Sequence, residues 1–120
     1  MSGYTHKTDG ALHTTVERHA GLPVLVITGE LDLATAPDVR EAIRSTFLAT
    51  GDRIVLDMSR VTFIDSTGIR TVLEAQQHAT ATLVLVAPSA PVTRVLDVTR
   101  LRGRFVEVST GADAAALAGP

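Results

Sequence analysis

The chain has 120 residues, of which 45% are hydrophobic and 20% charged, with a formal net charge of -2. That length and balance fit one folded domain with a real core and exclude a disordered chain. The small net charge and 3% aromatics remove any general pull toward nucleic acid, base stacking or an anionic membrane, and the absence of cysteine excludes disulfides, thiolate metal sites and a cysteine nucleophile.

In chain order, residues 1–10, "MSGYTHKTDG", contain no hydrophobic signal core, and no apolar stretch approaches the ~20 residues that cross a bilayer. These features predict a soluble, cytoplasmic protein, with residues 1–11 as a flexible lead-in and 12–118 as a single domain. "LHTTVERH" (12–19) alternates in polarity and predicts a half-exposed strand. A turn at residues 20–23 and a buried strand "VLVITGE" (24–30) follow, pairing with the first as an antiparallel hairpin. "ATAPDVREAIRSTFLATG" predicts a helix with Thr35 as N-cap, Pro37 in the first turn, Asp38 completing a capping-box variant and Gly51 as the stop. Val39, Ala42, Ile43 and Phe47 form its apolar face.

"RIVLDM" (53–58) is the next strand, and residues 66–78 form a helix with Ile69, Val72, Leu73 and Gln76 on one stripe. "TLVLVA" (82–87), a helix beginning at Ser89 before Pro91, "RFVEVS" (104–109) and a terminal helix complete the order. Strands joined through helices imply a largely parallel sheet. The expected fold is α/β, a mixed sheet of four to five strands packed with about four helices.

In such sheets, ligands meet the loops beyond the carboxyl ends of parallel strands. That topology gathers residues 30–32, 57–68 and 87–89 at one rim. Asp32, Asp57 and Asp65 raise a carboxylate metal cluster, but acids at strand ends and N-caps are ordinary, and the reading is no metal and no cofactor. Ser66 lacks the nucleophile elbow, because Ile64 stands where glycine is required. His6, His13, His19 and His78 read as surface residues away from the rim. No phosphate-binding loop is present. Arg100, Arg102 and Arg104 form a basic cluster, suited either to a solvated turn or to an acidic docking surface.

"Asp65-Ser66-Thr67-Gly68" is first a helix start, where Asp65 or Ser66 caps free N–H groups for ~1 kcal/mol. Gly68 costs roughly 0.5–1 kcal/mol relative to alanine there, which suggests that another surface comes close. Arg70 and Thr71 point away from the apolar stripe. A phosphate on Ser66 is tolerable at a helix N-terminus, yet it adds about -1.5 to -2 charges beside Asp65 and Asp32. Desolvating that charge in an interface costs several kcal/mol, against ~0.3–2 from the dipole, so modification can switch off binding without unfolding the domain.

The stretches "VITGELDLATAPDVREAI", "IVLDMSRVTFIDSTGIRTVLEA" and "LVLVAPSAPVTRVLDVTRL" resemble the STAS domain, specifically the bacterial anti-sigma factor antagonists, from about residue 14 to residue 108. The resemblance implies no catalytic activity and a phosphorylation site at Ser66, modified by an anti-sigma factor that is a serine kinase. The unphosphorylated form then binds that kinase and frees a sigma factor; phosphorylation dissociates it, and a PP2C-type phosphatase restores it. Asp65, Thr67 and Gly68 match the motif, Asp32 matches the acid after the second strand, and Ile69 replaces a leucine. Arg70 departs from the small residue common there and either pairs with the phosphate or alters partner choice. The expected partner surface comprises Asp32, Thr35, Asp65, Ser66, Thr67, Gly68, Ile69, Arg70 and Ser89. The alternative is a STAS module for assembly or ligand sensing, with Ser66 structural.

Overall fold

The computed structural model describes residues 6–8, 11–47, 53–78 and 82–117. Among these, strands His6–Thr8 (β1), Leu12–His19 (β2), Leu22–Leu31 (β3), Arg53–Ile64 (β4), Thr82–Val86 (β5) and Val106–Val108 (β6) form one sheet in chain order. The pairings β1–β2 and β2–β3 are antiparallel and the rest parallel. The mixed α/β sheet is as expected; the short edge strand β1 is additional and falls inside the segment read as a lead-in. It covers N–H and C=O groups that the outer edge of β2 would otherwise present. Glu30 N–H also donates to the Ala11 carbonyl at 2.7 Å, fastening the same segment to β3.

The β2–β3 turn is tighter than residues 20–23. Only Ala20 and Gly21 lie between the paired residues His19 and Leu22, and both hold positive φ, 53° and 81°. That left-handed geometry matches the twist of a two-residue hairpin.

Helices Ala36–Phe47 (α1), Ser66–His78 (α2) and Ala90–Val98 (α3) carry the crossovers, and Gly111–Ala116 (α4) ends the described chain. Each crossover steps to the next strand in the same direction, so a common hand puts α1, α2 and α3 on one face. Leu25, Leu56, Val39, Ile69 and Leu96 meet in the larger core there, and Ala114 of α4 joins Val24, Val55, Val84 and Val86 on the other face. The proposed helix stop at Gly51 and the side chain of Gln76 lie outside the described residues. The last strand is shorter than 104–109 because Arg102–Arg104 closes a 3-10 turn before it.

β4 is six residues longer than the expected 53–58. Its core residues Met58, Val61 and Ile64 are three apart, a spacing that hides a strand. Val26 pairs with Asp57 but Thr28 with Arg60, and Gly29 with Val61 but Glu30 with Phe63. Each shift inserts one extra residue in β4, which returns the next apolar side chain to the core face.

This length overturns the single rim. Val86, the last residue of β5, pairs with Asp57, so β3 and β4 run on beyond β5. Asp57 lies roughly 20 Å of strand short of Ile64. Its carboxylate accepts from the N–H and hydroxyl of Ser59, at 2.9 and 2.7 Å.

Candidate functional site

At the carboxyl ends of β3 and β4, two acidic loops meet. Asp65 N–H donates to the Leu31 carbonyl at 3.4 Å, so the residue after β4 touches the end of β3. Asp65 is the N-cap of α2: its Oδ1 accepts from Gly68 N–H at 2.9 Å, and its carbonyl accepts from Ile69 N–H at 3.0 Å. Ser66 is left as the first helical residue, exposed, with a hydroxyl that bonds no described residue.

Gly68 is buried, and the surface that comes close to it belongs to its own chain. A Cβ there would lie 2.5 Å from the Leu31 carbonyl oxygen and 2.7 Å from Ile64 Cγ1. The missing side chain lets the first turn of α2 sit directly on the end of β3.

Asp32 folds the other loop. Its Oδ1 accepts from the N–H groups of Ala34 and Thr35 at 3.0 and 3.1 Å. Thr35 does not cap α1 with its hydroxyl, as the sequence suggested. That group is buried, donates to the Glu30 carbonyl at 2.7 Å and accepts from Asp32 N–H at 3.0 Å. Only the Thr35 carbonyl serves the helix, receiving Asp38 and Val39 N–H.

Other expected site residues also have internal tasks. Ile69 is core, and Thr67 is half-buried with its carbonyl taken by the Thr71 hydroxyl at 2.9 Å. Thr71 is itself buried, contrary to its expected outward position. Arg40 of α1 comes within 3.5 Å of that hydroxyl and 3.0 Å of Glu74, which ties α1 to α2. Ser89 is half-buried; its N–H donates to the Met58 carbonyl at 3.2 Å and its hydroxyl to the Val61 carbonyl at 2.6 Å. It serves the edge of β4 that outruns β5. The exposed surface is therefore Ser66 and Arg70, flanked by half-buried Asp32, Asp65 and Thr67.

Two large apolar residues adjacent in sequence to these two loops are also exposed, and the sequence reading missed them. Leu33, 74% exposed, follows Asp32, and Phe63, 48% exposed, precedes the Ile64-Asp65 step. Their exposure is visible only from burial, and Val98, at 77%, is exposed elsewhere on the fold.

The rival chemistries find little here. Among the described residues, no three His, Cys, Asp or Glu side chains group as metal ligands. His19 stands at the far end of β2 from this rim, beside Glu17 at 3.5 Å. Arg102 is bridged to both Asp97 and Glu107, so the basic cluster is partly neutralised within the fold. No helix among the described residues is long and apolar enough to cross a membrane.

The model of the STAS domain matches residues 13–115. The chain belongs to the STAS family. This STAS domain is 38% identical over 60 residues to the anti-sigma-F factor antagonist RsfB of Mycobacterium tuberculosis. The match covers 50% of this chain and 49% of that relative, so it spans about half the length of the curated relatives. Among solved structures, an anti-sigma factor antagonist from Mycobacterium paratuberculosis superposes with a TM-score of 0.75 at 26% identity, covering 93% of this domain and 97% of that chain. The anti-sigma factor antagonist SpoIIAA in its unphosphorylated form gives 0.63 at 25% identity, over 88% and 95%. SLC26A9, at 17% identity, shares the fold alone, with a TM-score of 0.64 over 98% of this domain and 24% of that chain.

Proposed function

We propose that this STAS domain is an anti-sigma factor antagonist switched by phosphorylation of Ser66. Unmodified, it binds an anti-sigma factor that is also a serine kinase and so frees a sigma factor; it acts in the cytoplasm, without nucleic acid, membrane or cofactor. The observation that carries this reading is the free, exposed Ser66 hydroxyl at the first turn of α2, held between two loops whose carboxylates are occupied by backbone N–H groups. The similarity to proteins named anti-sigma factor antagonists supports it. Leu33 and Phe63 supply apolar contact area, while Asp32, Asp65, Thr67 and Arg70 supply a polar rim. Thr35, Gly68, Ile69 and Ser89 act from beneath, by fixing the two loops.

This domain performs no catalysis. The kinase moves the γ-phosphoryl group of ATP to Ser66 Oγ: the new O–P bond forms as the bond to the β,γ-bridging oxygen breaks. ADP leaves with that oxygen, and the hydroxyl proton passes to a base on the kinase. The phosphate adds about -1.5 to -2 charges beside Asp32 and Asp65, and burying it against the partner opposes binding. A PP2C-type phosphatase returns the hydroxyl by hydrolysis.

Incubation with the cognate kinase and ATP is expected to place phosphate on Ser66, located by mass spectrometry. The Ser66→Ala variant is expected to remain unmodified and bound to the kinase. A kinase that modifies another antagonist but leaves Ser66 untouched would remove the reading.

A further inference from the structure

Arg70 stands four residues after Ser66 on α2, and both side chains are exposed. Residues four apart on a helix are neighbours, with Cβ atoms ~6 Å from each other. Helical side chains lean toward the N-terminus, so an arginine at this position covers the turn that begins at Ser66. Its own potential partner one turn further along, Glu74, is already held by Arg40 at 3.0 Å. The nearby Asp32 and Asp65 carboxylates accept from backbone N–H groups. Arg70 pairs with no described residue. An uncommitted guanidinium thus stands one turn from an uncommitted hydroxyl, and the Arg40–Glu74 bridge keeps it so.

We propose that Arg70 binds the phosphate of phosphorylated Ser66 within the same helix, making this domain the holder of its own phosphomonoester; the proposal rests on Ser66 being the modified residue. Guanidinium and phosphate make charge-assisted, often bidentate hydrogen bonds. The pairing favours the dianion and therefore lowers the second pKa of the phosphate. It also offsets part of the repulsion from Asp32 and Asp65, and it must open before a phosphatase reaches the phosphorus.

The test needs no kinase. Phosphoserine is installed at position 66 of the 120-residue chain during translation, and its second ionisation is followed by phosphorus NMR against pH. Arg70→Gln is expected to raise that pKa by about 0.4 unit, the size an ion pair four residues apart on a helix supplies. Arg94→Gln, which removes an exposed charge from α3, is expected to leave it unchanged. Identical titrations for the parent and Arg70→Gln would overturn the proposal, as would an equal rise in Arg94→Gln, which would assign the effect to overall charge. A kinase that ignores Ser66 would remove the functional reading instead and leave this measurement standing.

Discussion

At the residue scale, Gly68 and Ser66 show how much one atom decides in the first turn of α2. In an isolated helix, Gly68→Ala would gain roughly 0.5–1 kcal/mol. Here the added methyl would meet the Leu31 carbonyl oxygen at 2.5 Å, a backbone atom locked in β3. The helix start must lift, so Gly68→Ala is expected to destabilise the domain by about 1–3 kcal/mol in urea unfolding. A gain in stability would show that α2 does not need that contact. Two residues earlier the situation reverses: Asp65 already caps the helix, and the exposed Ser66 hydroxyl bonds no described residue that a modification must displace. The sequence placed the cap on either residue and interpreted the glycine as room for another surface. Which cap acts, and which surface comes close, depends on where β3 ends, and that is a tertiary fact.

Element boundaries were legible wherever local rules act alone. The helix over residues 66–78 and the strand over 12–19 appear as expected, because a run of capping residues before an apolar stripe and a change of polarity along a strand are local signals. β4 extends past the 53–58 that the sequence indicates because its bulges space the core residues three apart, and only pairing with β3 shows that the chain is extended there. Thr35 reads as a cap and Ser89 as a helix start, yet both hydroxyls turn back to strand carbonyls, those of Glu30 and Val61. The β2–β3 turn offers a test at this scale. Ala20 holds φ 53°, a left-handed conformation that costs an ordinary residue about 1–2 kcal/mol and that asparagine tolerates better. Ala20→Asn is therefore expected to raise the melting temperature by roughly 4 °C. A lowered melting temperature would mean that the alanine methyl contributes something the turn geometry does not reveal.

Across the whole molecule, three helices on one face and α4 on the other bury the sheet from both sides. The rim at Asp32 and Ser66 stands on the part of β3 and β4 that projects past β5. A charge added there falls outside both cores, so its effect belongs to whatever docks on the rim and not to the fold. The α/β layout was legible from the alternation of strands and helices; the exposure of Leu33 and Phe63 was not, since nothing in their local sequence says that no element covers them. The most direct measurement is the affinity of the proposed partner, an anti-sigma factor kinase, for this domain with serine and with phosphoserine at position 66, by calorimetry, beside the melting temperature of each form. The phosphorylated form is expected to bind about 100-fold more weakly or worse, as an interfacial cost of several kcal/mol requires, while melting within a few degrees of the unmodified form. Equal affinities, or a loss of binding that comes with a collapsed melting temperature, would contradict a switch that acts at the partner's surface.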